Sequence, residues 1–430
     1  MAHTDDQSQG LDQGVPFWSA ALPVFLLLLP FPYSMFAALV GFFLLCLWQT
    51  YFYPGQVVSL LHRRGFILLG LLLVISASFA RFQGEAYLQL THFLPFFWFW
   101  VVIVLYLHKT PDPWQQLYDW AVLLVLGSIP INLVGIYEYA LKIAVLPEQL
   151  TTLPLIDWLY IGDMNVPRAF SLFDYPNTLA SYLIMILGLN IGLVVAGAKP
   201  DKFGRLPQWG YLGLTANLLL TLVCLFCSGS RNGYLVATGL LLISFFAIKT
   251  NRWVKALGLA GLAIIVTTTL RFGMAGRTLS WSWFTDDPRV HVWGLAWQMI
   301  RDRPLLGQGL GNYKLLYDGE VPQYDYIAHA HNFWLMIGAE AGVPAMILFT
   351  LIVGIIWYRG LRALLTIRKL PHHYALLMGY HLCFLGITLF SLFDITLTEA
   401  RVNFLAWLSL GVIYAGTELS QRLTTSTKST

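Results

Sequence analysis

The sequence predicts an all-α polytopic membrane protein of about 12 transmembrane helices, a single integral membrane domain over residues 1–430. Three observations predict it. Charged residues make up only 11% of the chain and hydrophobic ones 57%, whereas a soluble domain carries about 25% charged residues. Mostly apolar stretches of about 18 or more residues recur from Phe17 to Thr417, each long enough to cross a hydrocarbon core ~30 Å thick. Sixteen Trp and twenty-one Tyr supply the rings that settle at lipid–water boundaries. No shift in composition marks a second, soluble domain. A net charge of +4 is too small to point to nucleic acid.

The apolar runs place spans at 17–31, 34–53, 65–80, 90–107, 116–141, 177–197, 208–227, 233–248, 253–270, 333–357, 374–391 and 401–417. The first two, parted by Pro30-Phe31-Pro32, read equally as one broken hairpin. Residues 1–14 are polar and acidic, with no basic segment ahead of the first apolar run, so a cleavable signal peptide is not expected. Cys46, Cys224, Cys227 and Cys383 all fall inside apolar runs. The Cys224-x-x-Cys227 pair has no second pair and no nearby His, and reads as small packing residues rather than a redox or metal motif.

An even number of spans puts both termini on one side. The loops on that side hold Arg63, Arg64, Lys109, Lys199, Lys202, Arg205, Lys249, Arg252, Lys255, Arg359, Arg362, Arg368 and Lys369. An excess of Lys and Arg marks the cytoplasmic side, so the chain is expected in a bacterial inner membrane with both termini cytoplasmic. The basic residues left outside are of another kind: Arg81, Arg168, Arg231, Arg271, Arg277, Arg289, Arg301, Arg303 and Arg401, with only Lys142 and Lys314 as lysines. Arginine grips phosphate or carboxylate through a planar fork that lysine lacks. Arginines set against the topological bias point to an anionic ligand on the outer face, with Arg301 and Arg303 read as ordinary surface residues.

Two outer loops are long, at 142–176 and 271–332, and long loops between membrane helices often carry function. In the second, Asp286-Asp287-Pro288-Arg289 reads as an N-cap followed by Pro at the first helical position. Val290, Trp293, Trp297 and Ile300 then recur at helical spacing, as in an amphipathic helix lying on the membrane. Arg289 in its first turn opposes the helix dipole, which makes sense if the helix start and the Arg share an anion. Gly307, Gly309 and Gly311 follow in a run with no strand before it, so they predict a tight loop rather than a dinucleotide fingerprint.

His329-Ala-His331-Asn332 lies at the outer mouth of the 333–357 span. No third ligand accompanies this H-x-H at a usual spacing, so no metal site is expected. A boundary His can instead take a proton from a hydroxyl. In the turn Ser228-Gly-Ser230-Arg231-Asn-Gly233, small residues admit a ligand close to the backbone and Ser230 can cap the next helix. Arg231 has two readings, anion binding or pairing with the intramembrane Glu340. The predicted orientation places the N-termini at Pro176-Asn177, Ser230-Arg231 and His331-Asn332 on one face, where convergence would make a cradle for a diphosphate.

These motifs resemble the O-antigen ligase and O-antigen polymerase superfamily of bacterial cell envelopes. Arg168 followed by Pro176-Asn177, the Ser228-Gly-Ser230-Arg231 turn, Arg289-Val-His-Val-Trp293 with its Asp302-Arg303-Pro304 and glycine loop, and His331-Asn332 with Gly342 carry the likeness in order over residues 165–415. Ala345 departs from the ligase pattern, which has Gly, Thr or Tyr there. The resemblance implies a GT-C-like fold and an inverting glycosyltransferase that uses no metal and no cofactor. The donor would be a glycan on undecaprenyl diphosphate, the acceptor a hydroxyl of a glycan or lipid, and the reaction periplasmic. It implies that His331 is the base, that Arg231 and Arg289 bind the diphosphate, and that Arg168, Asn177, Ser230 and Asn332 line the substrate site. A polymerase of the same superfamily is one alternative. Ser391-Leu-Phe-Asp394 with Glu399 resembles cyanobacterial members once labelled bicarbonate transporters, which makes transport another.

Overall fold

The computed structural model describes residues 15–143, 166–197, 208–247, 288–317 and 328–426, with isolated positions at Ala263, Thr267 and Arg271. The expected span at 253–270, bar two of those positions, and loop residues 144–165, 272–287 (with the expected Asp286-Asp287 cap) and 318–327 lie outside the described residues. The helices are α1 (Val15–Leu28), α2 (Pro32–Phe52), α3 (Pro54–Arg63), α4 (Phe66–Ser78), α5 (Gln83–Gln89), α6 (Leu94–Lys109), α7 (Pro113–Gly127), α8 (Ile129–Lys142) and α9 (Pro176–Gly197). After them come α10 (Gln208–Cys227), α11 (Arg231–Ala247), α12 (Pro288–Asp302), α13 (Tyr313–Leu316), α14 (Phe333–Ala341), α15 (Val343–Thr366), α16 (Pro371–Phe390) and α17 (Ala400–Ser426).

Eight spans among the described residues are long and apolar enough to cross a membrane, nine if the bent pair α3–α4 counts as one. The chain is therefore a multi-pass membrane protein. Of the twelve expected spans, 253–270 lies almost wholly outside the described residues, 17–31 and 233–248 are helices of only 14 and 17 residues, and 65–80 belongs to the bent pair. Further breaks lie within spans. Pairs α1/α2 and α7/α8 divide at Pro-containing junctions, since Pro removes a helix hydrogen bond. The Asn217 amide covers the α7/α8 break by donating to the Val125 carbonyl and to Ser128 Oγ, at 2.7 and 3.1 Å, which keeps freed polar groups away from lipid. The expected span at 333–357 is two helices, α14 and α15, parted at Gly342 with φ +87°. A Cβ there would sit 2.3 Å from the Leu305 carbonyl oxygen, so only glycine admits this turn.

Helices α9 and α17 form the buried centre, with 89% of their apolar windows inside, against 28% for α15 at the lipid-facing rim. Helix α9 lies tightly along α16. A Cβ on Gly188 would come 2.4 Å from the Cys383 nitrogen, and one on Gly192 2.5 Å from the Gly379 Cα. This is the small-xxx-small contact by which membrane helices gain close van der Waals packing. All four cysteines are free and buried, as their reading as packing residues requires.

A buried ion pair holds the segment after the first long loop. Lys142 Nζ lies 2.8 Å from Glu138 Oε1, with both side chains almost fully buried. Glu138 Oε2 accepts the Phe170 and Ser171 N–H groups at 2.7 and 2.6 Å, and Lys142 donates to the Arg168 carbonyl at 2.9 Å. Ser171 consequently holds a left-handed backbone, φ +53°. Arg401, expected among the outward arginines, closes the same segment from the far side. It donates to the Leu172 carbonyl at 2.6 Å, pairs with Glu399, and covers the Phe173 ring.

Two outcomes follow. Gly192→Leu should separate α9 from α16 at a cost of at least about 3 kcal/mol, the upper end of overpacking, read as a lost monodisperse peak in detergent. Gly239→Leu, at a position where a Cβ meets nothing within 4 Å, should leave that peak intact. Glu138→Gln should cost roughly 3–5 kcal/mol by stranding a buried cation, seen as a lowered melting temperature. Adding Lys142→Met should restore much of the loss.

Candidate active site

The site is built where several helix ends meet. Asp394 lies in the turn between α16 and α17 and is nearly fully buried. Its Oδ1 is 3.2 Å from His331 Nδ1 and accepts the Ile395 N–H at 2.8 Å, while its Oδ2 accepts the Asn177 Nδ2 at 2.5 Å. Asn177, second residue of α9, accepts in turn from Arg168 Nη2 at 2.8 Å. Arg168 Nε donates to the Ser228 carbonyl, also at 2.8 Å. A continuous chain therefore runs from the turn before α11, through Arg168, Asn177 and Asp394, to His331. The three helix starts whose convergence the sequence left as a condition are linked through this chain and its neighbours.

Local backbone geometry aims His331. Its φ of +48° is unfavourable for a residue with a side chain, a strain of order 1–3 kcal/mol that surrounding contacts must over-determine. Those contacts are on both sides. Asn332 caps α14 by accepting the Leu335 N–H at 3.0 Å and donates to the Leu392 carbonyl at 3.0 Å, and the Phe333 N–H binds the Ser391 carbonyl at 2.9 Å. The His331 loop is thus stitched to the turn that carries Asp394. Asn232 of α11 donates to the Phe390 carbonyl at 2.8 Å, which ties the Ser230-Arg231 turn to the same place.

The electrostatics follow from burial and neighbours. Burial opposes ionisation of Asp394, but the His331 hydrogen bond and charge, His329 and the Ile395 N–H outweigh it and hold the carboxyl down to about 2. Burial, then repulsion from His331, pushes His329 down to about 4. At neutral pH, then, the carboxylate is charged and His329 is not. An ionised Asp394 accepts from His331 Nδ1–H, which selects the tautomer with Nε2 as the acceptor. Among the described residues, His331 Nε2 has no hydrogen-bond partner.

Helix α12 forms as the sequence predicts, but its seam differs. Val292, Ala296, Met299 and Ile300 are buried with Ala330, Ala339 and Tyr313, while Val290 and Trp297 are exposed. It packs on α14 and the His331 loop as well as presenting apolar surface outward. The Trp293 ring is 6.3 Å from that of Phe393, and the charge of Arg289 reaches His329. Arg289 thus sits on α12 within charge reach of His329, while Arg231 opens α11, whose Asn232 is tied to the end of α16. The glycine run is a tight loop, with positive φ at Gly307, Gly309 and Gly311. It receives Glu340: Gly309 N–H binds the Glu340 carbonyl at 2.8 Å, and Tyr313 N–H binds its carboxylate at 3.0 Å. The carboxylate considered as a partner for Arg231 is thus engaged by backbone at the glycine loop.

Of the residues expected to line a substrate site, four are occupied by the frame. Arg168 and Asn177 are links in the chain, Asn332 is a cap and strap, and Ser230 is buried with its Oγ accepting the Gly233 N–H at 3.3 Å. Sequence reasoning missed Asp394 as the partner of His331. Its only signal was an acidic residue in the short break between two apolar runs. The expectation that the H-x-H lacks a third ligand is also corrected, because the fold brings Asp394 to both rings: one ligand atom from each of His329, His331 and Asp394 lies within 4.8 Å of the others. Glu399 is placed structurally, with its Oε2 accepting the Val402 N–H at 3.0 Å and its other oxygen on Arg401. The two acidic residues that hinted at transport are accounted for in this way, and nothing else supports that alternative.

No curated protein matches the chain. Residues 216–350 match the family described as O-Antigen ligase, a stretch that runs from α10 through the Ser228–Arg231 turn, Arg289 and the glycine loop to His331 and the start of α15. Over this stretch the chain is similar to the O-antigen ligase superfamily, whose members are membrane enzymes that process glycans.

Proposed function

We propose that this protein is an inverting, metal-independent glycosyltransferase that moves a glycan from undecaprenyl diphosphate to an acceptor hydroxyl on the periplasmic face of the inner membrane. The observation that carries the reading is the His331–Asp394 contact of 3.2 Å, whose histidine lies within the stretch that matches a glycan-processing family.

Asp394 holds Nδ1–H of His331, and Nε2 takes the proton of the acceptor hydroxyl. The freed oxygen attacks the anomeric carbon as the bond to the diphosphate oxygen breaks, so configuration inverts. The electron pair leaves on the diphosphate. Arg231 and Arg289, with the N-termini of α9, α11 and α14, favour that developing charge because they are fixed before it appears. The imidazolium formed in the step is stabilised by the Asp394 carboxylate, as in other His–Asp pairs.

A small apolar crevice offers a contact for the donor's lipid tail. It is walled by Phe93, Trp334, Phe349, Phe384, Trp407 and Leu410, among others. It begins beside α14, two residues past His331, and descends between α15, α16 and α17. An isoprenoid seated there would leave its diphosphate near the dyad. Ligase and polymerase share this chemistry and differ in the acceptor.

The test is complementation of a deletion strain at equal membrane expression, with transfer read as glycan attached to acceptor. His331→Ala should lower the rate by about 10²–10⁴, the usual worth of a positioned base, and Asp394→Asn should approach it through the wrong tautomer. Arg231→Lys and Arg289→Lys keep the charge, lose the fork, and should each lower transfer sharply. Lipid-linked glycan should accumulate unattached in every case. Full rescue by His331→Ala would overturn the proposal. Glycan chain length separates ligase from polymerase.

A further inference from the structure

His329 has no part in the transfer as derived. Its ring nevertheless lies 4.2 Å from that of His331, centroid to centroid. Its Nδ1 is buried without a hydrogen-bond partner on another described residue. A buried polar nitrogen left so is costly. It would be relieved by a group that accepts its lone pair.

The neighbours define that group. His329 and His331 offer imidazole nitrogens, and Asp394 offers a buried carboxylate oxygen 3.2 Å from His331 Nδ1. One ligand atom from each lies within 4.8 Å of the others. Ligand atoms around a tetrahedral zinc stand about 3.4 Å apart, given bonds of about 2.0–2.1 Å, so closure takes side-chain movement of only about an ångström. Two imidazoles with one carboxylate suit zinc and its first-row neighbours, not the hard cations calcium and magnesium, which take oxygen. Three protein ligands leave a fourth position open, and His331 is exposed enough, at 22% of its side chain, for a cation to arrive. Asp394 is already held by Asn177 Nδ2 at 2.5 Å, the outer support that a ligating carboxylate requires. Arg289, whose charge reaches His329, opposes a cation, and the Asp394 charge offsets it.

We infer that His329, His331 and Asp394 form a binding site for a divalent transition-metal cation of the zinc type, and that its occupation silences transfer. The nitrogen lone pair of His331 that would bind the metal, and the Asp394 oxygen that orients the ring, cannot serve catalysis at the same time. Metal and acceptor proton compete for one dyad. The silencing rests on the transferase reading, whereas the binding does not.

The test uses the full-length protein in detergent with zinc chloride, in competition with a chromogenic chelator. Wild type should take up one zinc per chain. His329→Gln and Asp394→Asn should each weaken binding at least tenfold, and His62→Gln, on exposed α3, should not. Cobalt substituted for zinc in the wild type should give the intense visible band of a four-coordinate site, a readout that needs no variant to fold. In the transfer assay, zinc should inhibit the wild type reversibly, with a chelator restoring activity. His329→Gln should work without zinc and ignore its addition. Zinc uptake unchanged in His329→Gln, or no four-coordinate cobalt spectrum, would overturn the site. Stimulation of transfer by zinc would overturn the silencing. Zinc bound by a protein with no transfer activity in any condition would sustain the site and count against the transferase reading alone.

Discussion

The Asp394 carboxylate is the constraint around which one end of the bundle is organised. A charge buried this deeply is tolerated only where hydrogen-bond donors surround it. Its donors come from three places in the chain: Asn177 at the start of α9, His331 before α14, and the backbone N–H of Ile395. Satisfying one carboxylate therefore fixes two helix starts against the α16–α17 turn. Asn177 passes the constraint on, because its amide donates to Asp394 with one end and accepts from Arg168 with the other. Arg168 ends the chain on the Ser228 carbonyl. Each link has both hydrogen-bonding ends used, so the arrangement has little freedom to relax piecemeal.

The strain in the molecule has a matching distribution. Among the described residues, the only non-glycine positions with positive φ are Ser171 and His331. One follows Arg168 at the head of the chain, and the other is its terminus. Both are held by hydrogen bonds rather than by regular structure. Ser171 donates its N–H to Glu138 and its hydroxyl to the Ile131 carbonyl, while His331 sits between the Asp394 contact and the Asn332 strap. The buried Glu138–Lys142 pair, 2.8 Å apart, is remote from His331 in the chain yet belongs to the same device. It sets the segment from which Arg168 reaches Asn177. Such pairs add little net stability over an apolar alternative, but breaking one is costly, which keeps that segment where Arg168 and Asn177 meet.

Much of this was legible in the sequence, and what was not has physical reasons. Apolar runs announced the membrane helices because length and hydrophobicity act locally. Pro288 at the first helical position announced α12 for the same reason. Breaks within spans were harder. The division at Gly342 depends on the Leu305 carbonyl packing against it, a contact that no local pattern encodes. Asp394 was missed because 63 residues separate it from His331, and only the tertiary fold makes them neighbours. Arg168, Asn177, Ser230 and Asn332 carry a second role that the sequence did not announce. Polar residues near a helix start suggest a ligand, yet a helix start also needs its own caps, and a buried carboxylate its own donors. In this protein all four serve that second demand.

That second role bears on how an arginine is used. Arg168 meets two acceptors at once, the Ser228 carbonyl through Nε and the Asn177 oxygen through Nη2, both at 2.8 Å. The planar guanidinium sets the spacing of those two N–H groups and keeps its charge at any working pH. A lysine could meet either acceptor but would not impose the angle between them. The angle is what matters, because it holds the Asn177 amide with its oxygen toward Arg168 and its nitrogen toward Asp394. An amide turned the other way would set its oxygen against the Asp394 carboxylate. The carboxylate would then lose a donor and gain a repulsion, and its hold on His331 Nδ1 would weaken. A residue that the outward excess of arginine marks for anion binding thus acts, in the folded chain, as the element that decides which way an amide points.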